Sequence, residues 1–451
     1  MSEDGLPSGW RWQKLTDITK HKSGNSKLIK GKLHPEPADG RYPGFSASGQ
    51  DVWLDHFEHE GPAIIASAVG ARCGRCFRAD GKWSAVANTH IIWTGPEIDR
   101  DFLWRRINDQ SFWIRGGSAQ PFIKVKPSFE RPFALPPIEQ QQRIVEKVDA
   151  LFAHSRKAKE SLDRVPALLE KLKKSILAAA FRGDLTKDWR EANPNVEPDW
   201  HRGLLEEERA RIPKKSKHGR LWGAGASQST PEVELPPSWN WVQVKDLGFD
   251  PGDVVQIGPM SMKSSEFEDS GVQVLNVGCV QWGYLELSKS NYLPFKRAED
   301  FGRYRLQTND VLFTRSGTVG RSALVTAEAD GSLMTFHLLR VRVSPRLCLP
   351  RFLYLAFRGV PSIRKAIERS SMGSTRAGFN TRLLQELYVP LPPPEEQLEV
   401  ISRADEMLRR CTEVDSQRER ASALQRQLER SVLQQAFRGH LTDRRDAGEA
   451  P

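Results

Sequence analysis

Apolar positions along the chain follow two different patterns. In two long stretches, from Leu135 to Thr186 and from Leu391 to Thr442, they recur at alternating steps of four and three residues. In the first stretch the row is Ile144, Val148, Leu151, Ala158, Leu162, Val165, Leu169, Leu172, Ile176 and Ala179, with Ser155 filling one place. In the second it is Val400, Ala404, Met407, Cys411, Val414, Ala421, Leu424, Leu428 and Val432, interrupted by Arg418. A spacing of four and three is that of a heptad seam, and it predicts two helices that pair as a coiled coil. At 1.5 Å per residue the first would run roughly 60 Å, well beyond an ordinary globular helix. Pro137 and Glu139 suit its start and Gly183 its left-handed end cap. Pro166, inside it, removes a backbone donor and is expected to kink or locally break it.

Elsewhere the apolar residues come in short runs separated by Gly, Pro, Asn and Ser, the pattern of mixed strands and turns. Ala63-Ile64-Ile65-Ala66 before Gly70 and Val311-Leu312-Phe313-Thr314 before Gly317 read as buried strands entering glycine turns. His90-Ile91-Ile92-Trp93 and His337-Leu338-Leu339-Arg340-Val341 read as the strands that follow, their histidines structural since no partner ligand stands nearby. A further short helix is expected from Leu204 to Arg211 in the charged, proline-rich connector.

The chain is an internal duplication. Leu135-Pro136-Pro137-Ile138-Glu139-Gln140-Gln141 returns 256 residues later as Leu391-Pro392-Pro393-Pro394-Glu395-Glu396-Gln397, and Ala180-Phe181-Arg182-Gly183-Asp184-Leu185-Thr186 returns at the same offset as Ala436-Phe437-Arg438-Gly439-His440-Leu441-Thr442. Across this stretch 18 of 52 positions are identical without a gap. The preceding blocks correspond more loosely: Leu6-Pro7-Ser8-Gly9-Trp10 matches Leu235-Pro236-Pro237-Ser238-Trp239 at an offset of 229, and Phe102-Leu103 matches Phe352-Leu353 at 250. Insertions therefore accumulated in the blocks while the helices kept their length. The implied order is a variable domain over 1–134, a helix over 135–190, a linker over 191–234, a second variable domain over 235–390, a second helix over 391–446 and a tail over 447–451.

Charge adds a partner class. The 67 Lys and Arg residues exceed the 57 Asp and Glu, giving a formal charge of +10. The surplus sits in the two variable blocks, with 19 basic and 13 acidic residues from Trp10 to Ala134, and 19 and 14 from Ser238 to Pro390. Two separate basic blocks suit a polyanion touched at two places. The five cysteines are odd in number, and only Cys73 and Cys76 are close. A zinc site needs four ligands and no second pair follows, so these read as packed thiols in a reducing, cytoplasmic setting. No apolar run reaches the roughly 20 residues of a membrane span, so no membrane partner is expected.

Candidate base-reading positions follow from side-chain chemistry. Gly117-Ser118-Ala119-Gln120 and Gly373-Ser374-Thr375-Arg376 are glycine-headed turns 256 residues apart. Gln can bond adenine and Arg guanine in bidentate fashion, which suits Ser118, Gln120, Ser374 and Arg376 to base edges. Ser46 and Ser48 in the first block, and Gln256, Ser261, Lys263 and Ser264 in the second, are similar candidates. Arg72, Arg75, Arg315 and Arg321 flank the paired glycine turns and could meet phosphate or base. Ile144, Val148, Leu151, Leu162, Leu169, Leu172, Ile176, Phe181, Arg182, Val400, Met407, Leu424, Leu428, Phe437 and Arg438 are the expected helix-pairing and partner-binding positions. Neither an adenosylmethionine loop nor an Asn/Asp-Pro-Pro-aromatic tetrapeptide occurs; Asn193-Pro194-Asn195-Val196 lacks the second proline. A Gly-x-x-x-x-Gly-Lys-Ser/Thr loop is also missing, so neither methyl transfer nor ATP-driven movement is expected of this chain, and no catalytic residues or metal ligands are assigned.

Two Pro-x-x-Trp-headed blocks, each followed by a helix running from Leu-Pro-Pro-x-Glu-Gln-Gln to Ala-Ala-Phe-Arg-Gly-x-Leu-Thr, resemble the specificity subunit of type I restriction-modification systems over nearly the whole chain. Ala179 to Gly183 and Gln435 to Gly439 are the most specific marks, with Gln435 replacing the usual alanine. The resemblance implies an α+β fold in which two mixed α/β target-recognition domains are separated by two long antiparallel coiled-coil helices. It further implies that each domain reads half of a split, asymmetric double-stranded DNA site, and that the helices set the spacing and dock two methyltransferase subunits. Restriction subunits would join for cleavage. S-adenosylmethionine would then belong to the methyltransferase subunit, and ATP and Mg to the restriction subunit, with no cofactor in this chain. Two other readings are an autonomous DNA-modification enzyme and a coiled-coil DNA-binding scaffold without sequence preference.

Overall fold

A computed structural model describes residues 6–210, 230–248, 251–372 and 381–441. The chain divides into two units, one of residues 1–164 and 417–451, the other of residues 165–416. Two long helices, α1 (Ile138–Arg182) and α2 (Pro394–Ala436), run through both. Each unit thus holds the start of one long helix and the end of the other.

In the first unit, strands Thr19–Ser23, Thr89–Thr94, Ala63–Ser67 and Cys76–Ala79 lie side by side as an antiparallel sheet. A second four-stranded sheet holds Gly49–Leu54, Tyr42–Ser46, Lys82–Ala85 and His59–Glu60. In the second unit the matching sheet is Val255–Ile257, Leu338–Val341, Val311–Thr314 and Ser322–Leu324, again antiparallel. It is joined by a three-stranded sheet of Asn291–Leu293, Val272–Leu275 and Leu333–Met334. The expected strands around Ala63, His90 and Val311 are therefore present, with His337 one residue before its strand. The connector helix spans Trp200–Ala210.

Why the motifs keep their spacing is visible in each unit. Arg11–Lys14 pairs with Pro132–Leu135, and Asn240–Gln243 with Tyr388–Leu391, so the strand after each Pro-x-x-Trp segment is zipped to the strand that leads into a long helix. The next residues bury a glutamine. Gln141 is fully buried; its amide donates to the carbonyls of Glu97 (3.0 Å) and Pro136 (2.8 Å) and accepts from the Asp99 N–H (2.8 Å). Gln397 repeats this with Leu347 (2.8 Å), Pro392 (2.9 Å) and the Leu349 N–H (2.7 Å). Satisfying three buried backbone groups with one side chain fixes the residue type as well as its place.

The other end of each helix seats on the unit whose helix it did not begin. Phe437, just past the end of α2, packs on Phe102, ring centroids 5.4 Å apart, and Phe181 of α1 on Phe352 at 5.3 Å. Gly439 and Gly183 then turn the chain at φ +81° and +83°. A Cβ there would stand 2.5 Å from Pro7 in one case and 2.5 Å from Pro236 in the other, so glycine is required by both conformation and space.

The helices pair antiparallel. In the first unit Ser155 donates to Glu429 (2.6 Å) and accepts from Gln425 (2.9 Å), while Lys147, earlier in α1, reaches the Leu441 carbonyl beyond the end of α2 (3.2 Å). In the second, Val165, Leu169 and Ile176 pack with Cys411. One row of the expected seam holds: Ile144, Val148, Leu169, Ile176, Phe181 and Val400 are buried and Leu162 half-buried. The alternate row does not. Leu151, Leu172, Met407, Leu424 and Leu428 are exposed, from 36% to 65%, while the neighbouring Phe152, Lys173, Leu408, Gln425 and Glu429 are half-buried. Adjacent residues on a helix are about 100° apart, and either can flank the same buried row. The apolar pattern selected the leucines; the pair instead uses polar contacts such as Ser155 with Gln425 and leaves the leucines outward. The helical assignment of α1 also continues through Pro166, so the expected break is not seen.

Candidate nucleic-acid interface

In the first unit, strand Ala63–Ser67 ends in the turn Gly70 to Arg75. Gly70 and Gly74 adopt φ +96° and +91°, and both Arg72 and Arg75 are exposed. Gly70 N–H donates to the Pro121 carbonyl (2.8 Å) and Ile123 N–H to the Ala68 carbonyl (2.9 Å). These bonds draw in the small hairpin of Arg115–Gly116 and Phe122–Ile123, whose tip is Gly117 to Gln120. The two arginines therefore share one edge with Ser118 and Gln120, all exposed, although some 45 residues separate them. Arg115 and Lys124, exposed on the same hairpin, add positive charge that no sequence pattern singled out. Ser48 is exposed in a neighbouring turn, whereas Ser46 is 3% exposed and its hydroxyl accepts from the Ser48 N–H (3.1 Å), so Ser46 shapes the turn rather than facing solvent.

The second unit builds a comparable edge with other side chains. Arg315 to Arg321 forms the turn after Val311–Thr314, with Gly317 and Gly320 at φ +70° and +86°. The Thr314 hydroxyl pins it, accepting from the Arg321 N–H (3.1 Å) and donating to the Thr318 carbonyl (2.6 Å). Arg315 lies over the Phe336 ring (5.6 Å), and Ser316 Oγ is 2.7 Å from His337 Nδ1. Arg321 is held differently, donating to Gln281 Oε1 (3.3 Å). Gln281 begins a turn that carries Trp282 and Tyr284, 60% and 61% exposed, and is tied back by Gly283 N–H to the Ser322 carbonyl (3.0 Å). Large exposed rings beside an arginine suit stacking on bases or sugars. They were missed because isolated aromatics carry no periodic signal.

Ser261, Lys263 and Ser264 are exposed in the loop after Val255–Ile257, the Lys263 N–H donating to Glu266 (2.7 Å), whose carboxyl is held below its usual range by that bond and by Arg297. Gln256 does not belong with them. It is 7% exposed and opposes Arg340 across the sheet, where the fully buried Arg340 pairs with Asp253 (2.6 Å). A cross-strand core position cannot reach a base edge. Ser374 and Arg376 lie outside the described residues.

The two histidines differ in setting, His90 being half-buried and His337 exposed one residue before its strand. His90 stands 3.5 Å from Ser23 Oγ, and burial, together with His21, lowers its pKa. Burial and Arg315 do the same for His337. Cys73 and Cys76 are buried free thiols, burial raising the pKa of Cys76, whose Sγ reaches the Gly74 (3.5 Å) and Ile107 (3.6 Å) carbonyls. Among the described residues no cluster of three or more His, Cys, Asp or Glu could hold a metal, and no helix is long and apolar enough to cross a membrane.

Comparison with known proteins places this architecture. The family described as Type I restriction modification DNA specificity domain matches residues 249–421. The Type I restriction enzyme EcoBI specificity subunit of Escherichia coli is 27% identical over 311 residues, 68% of this chain and 58% of that protein. The EcoDI specificity subunit of Escherichia coli is 23% identical over 457 residues, 98% of this chain and 91% of that protein. The chain thus spans under two thirds of the first relative's length but nearly all of the second's. Among solved structures, a chain from a type I R-M system studied for complex assembly and conformational transition gives a TM-score of 0.67 at 17% identity, covering 96% of this chain and 99% of that one. The HsdS subunit from Thermoanaerobacter tengcongensis gives 0.53 at 18% identity, covering 96% and 98%. Residues 249–421 thus match the type I restriction modification DNA specificity domain, and the chain is similar over nearly its whole length to type I restriction enzyme specificity subunits, whose fold it shares end to end.

Proposed function

We propose that this chain confers DNA-sequence specificity on a type I restriction-modification complex, each of its two recognition units reading one half of a bipartite, asymmetric site. The observation that carries this is the paired edge. Both units raise an arginine-flanked glycine turn from the equivalent strand, yet surround it with different side chains: Ser118, Gln120 and Arg115 in one, Trp282 and Tyr284 in the other. Equal scaffolds with unequal tips suit two different short sequences, since backbone phosphates are read alike and base edges are not. In this reading the chain itself performs no chemistry. S-adenosylmethionine is held by the methyltransferase subunit, and ATP and Mg by the restriction subunit.

The outward leucines support the docking part of the proposal. Leu151, Leu172, Met407, Leu424 and Leu428 leave apolar side chains on helices already paired through another row. Exposed apolar rows of this kind mark protein contact surfaces, and two methyltransferase subunits would cover them. Mapping methylated bases in cells with and without this gene tests the function. Specificity predicts one split motif that vanishes without the gene. Methylation unchanged by its loss, or adenosylmethionine binding by the isolated chain, would be incompatible with it.

A further inference from the structure

In each unit the antiparallel four-stranded sheet has one edge strand, Thr19–Ser23 in the first and Val255–Ile257 in the second, and each is followed by a glycine that close approach requires. A Cβ on Gly24 would stand 2.2 Å from Thr89 Oγ1, and one on Gly258 2.2 Å from the Thr335 carbonyl oxygen, so the next loop leaves both sheets at an equivalent corner. The charge that the two loops carry is opposite. From Ile18 to Pro35 the first unit has five lysines, two histidines and no acidic residue, whereas from Val254 to Ser270 the second sets Lys263 against Glu266, Glu268 and Asp269. One scaffold folds with either set, so the positive charge of the first answers to something other than folding.

The first loop is held in place. Asn25 N–H donates to the Ala85 carbonyl (2.9 Å), Asn25 Oδ1 accepts from the Lys27 N–H (2.9 Å), and Ala87 N–H donates to the Leu28 carbonyl (3.0 Å). Leu28 and Leu33 pack on Val52, Leu54 and Val86, which leaves Lys27, Lys30 and Lys32 at the surface. Lys30 pairs with Asp51 and His34 with Asp55 (3.3 Å). Lys20 and Lys22, which share one face of the edge strand, are exposed like Lys27 and Lys32, and none of these four forms an ion pair among the described residues. Cations fixed on one frame repel each other, a cost that a row of anions would offset. The patch also continues the candidate base-reading edge. Ser23 stands opposite His90 and His90 opposite Ala66, while Ser67 N–H donates to the Arg75 carbonyl (2.8 Å), so the lysine loop and the turn of Arg72 and Arg75 leave the same end of one sheet. Strands about 4.8 Å apart place three steps across that end at roughly 15 Å, or four to five base pairs of duplex. We propose that the segment from Lys20 to Lys32 is a sequence-independent clamp on the phosphates of duplex DNA beside the bases that the first unit reads, with no counterpart in the equivalent loop of the second. This rests on the DNA-reading function proposed above and adds that the two units hold the duplex unequally.

The test follows binding of the full chain to a short random-sequence duplex by fluorescence anisotropy across a salt series. Lys20→Gln, Lys22→Gln, Lys27→Gln and Lys32→Gln together should make the slope of log affinity against log salt shallower by about 3 to 4, since each phosphate contact contributes roughly 0.9. Arginine at the same four positions should keep the slope, and glutamine at four exposed lysines of α1, Lys157, Lys159, Lys171 and Lys174, should barely change it. An unaltered slope in the first variant, an equal loss from the α1 set, or no duplex binding by the full chain at low salt overturns the proposal. So does a polyglutamate peptide that binds the chain and is not displaced by the duplex, which would assign the lysines to an acidic protein. In cells the first variant should methylate the same split motif less completely; a motif with altered bases would make the lysines base readers and overturn the clamp. A motif that does not depend on the gene at all would instead refute the specificity reading, and the salt series would still decide the clamp by itself.

Discussion

Gln141 and Gln397 carry the largest share of the local logic, since each answers three backbone groups that the fold would otherwise bury unpaired. Gln397→Leu keeps the volume and removes the bonds; a loss of about 1–3 kcal/mol is expected in a urea titration, because the Leu349 N–H and two carbonyls lose their partner. His90 makes a pH-dependent contribution whose sign follows from its environment. Burial holds its folded pKa below the unfolded value of about 6.5, so the folded state takes up the proton less readily. Its share of stability is complete above that pH and is lost as pH falls through it towards the folded value. His90→Gln should therefore reduce the difference between urea midpoints at about pH 7.5 and pH 5.5; an unchanged difference would mean that another group supplies the slope. The base-reading candidates divide at this scale as well. Arg72, Arg75, Ser118 and Gln120 were each readable as residue types, but burial alone separates Ser48 from Ser46 and removes Gln256.

At the scale of elements, the two long helices were legible because a repeat of four and three over so many turns admits few other structures. Which leucines face the partner helix was not, since Leu151 and Phe152 are both apolar and flank the same buried row. At 424 and 425 the buried choice is the polar Gln425, which bonds Ser155, and no hydrophobic pattern points to it. Pro166 is a second instance. It sits in a helix that continues past it, supported by packing rather than propensity, so Pro166→Ala should raise stability by about 1–3 kcal/mol through the restored donor and better propensity. A lower thermal midpoint for that variant would instead mean that the proline shapes α1 for a partner. The exposed Trp282 and Tyr284 belong here too: the turn that presents them is set by Gly283 and the Ser322 carbonyl, a contact across 39 residues of chain.

For the whole molecule, each long helix begins in one unit and ends in the other, which makes helix length a property of both. If the helices act as the ruler between half-sites, deleting four residues from each removes about 6 Å of helix, equivalent to at most roughly two base pairs. Methylome sequencing of that variant should show a shorter spacer between unchanged half-sites; an unaltered spacer would exclude the ruler. The positive charge has the same scale. Its division between two blocks was visible in composition, and the structure draws part of it onto one edge, as with Arg72, Arg75 and Arg115.

The sequence alone determined the duplication, the existence and length of the two helices, the strands at Ala63 and Val311, and the family resemblance, because each leaves a periodic or repeated trace in linear order. Only the tertiary structure decided which helix row is buried, that each Ala-Phe-Arg-Gly segment packs within the unit where its helix ends rather than where it begins, and that Arg72 shares an edge with Gln120. These depend on surfaces that meet across tens or hundreds of residues, where the identity of a side chain says what it can bind but not what will be placed against it.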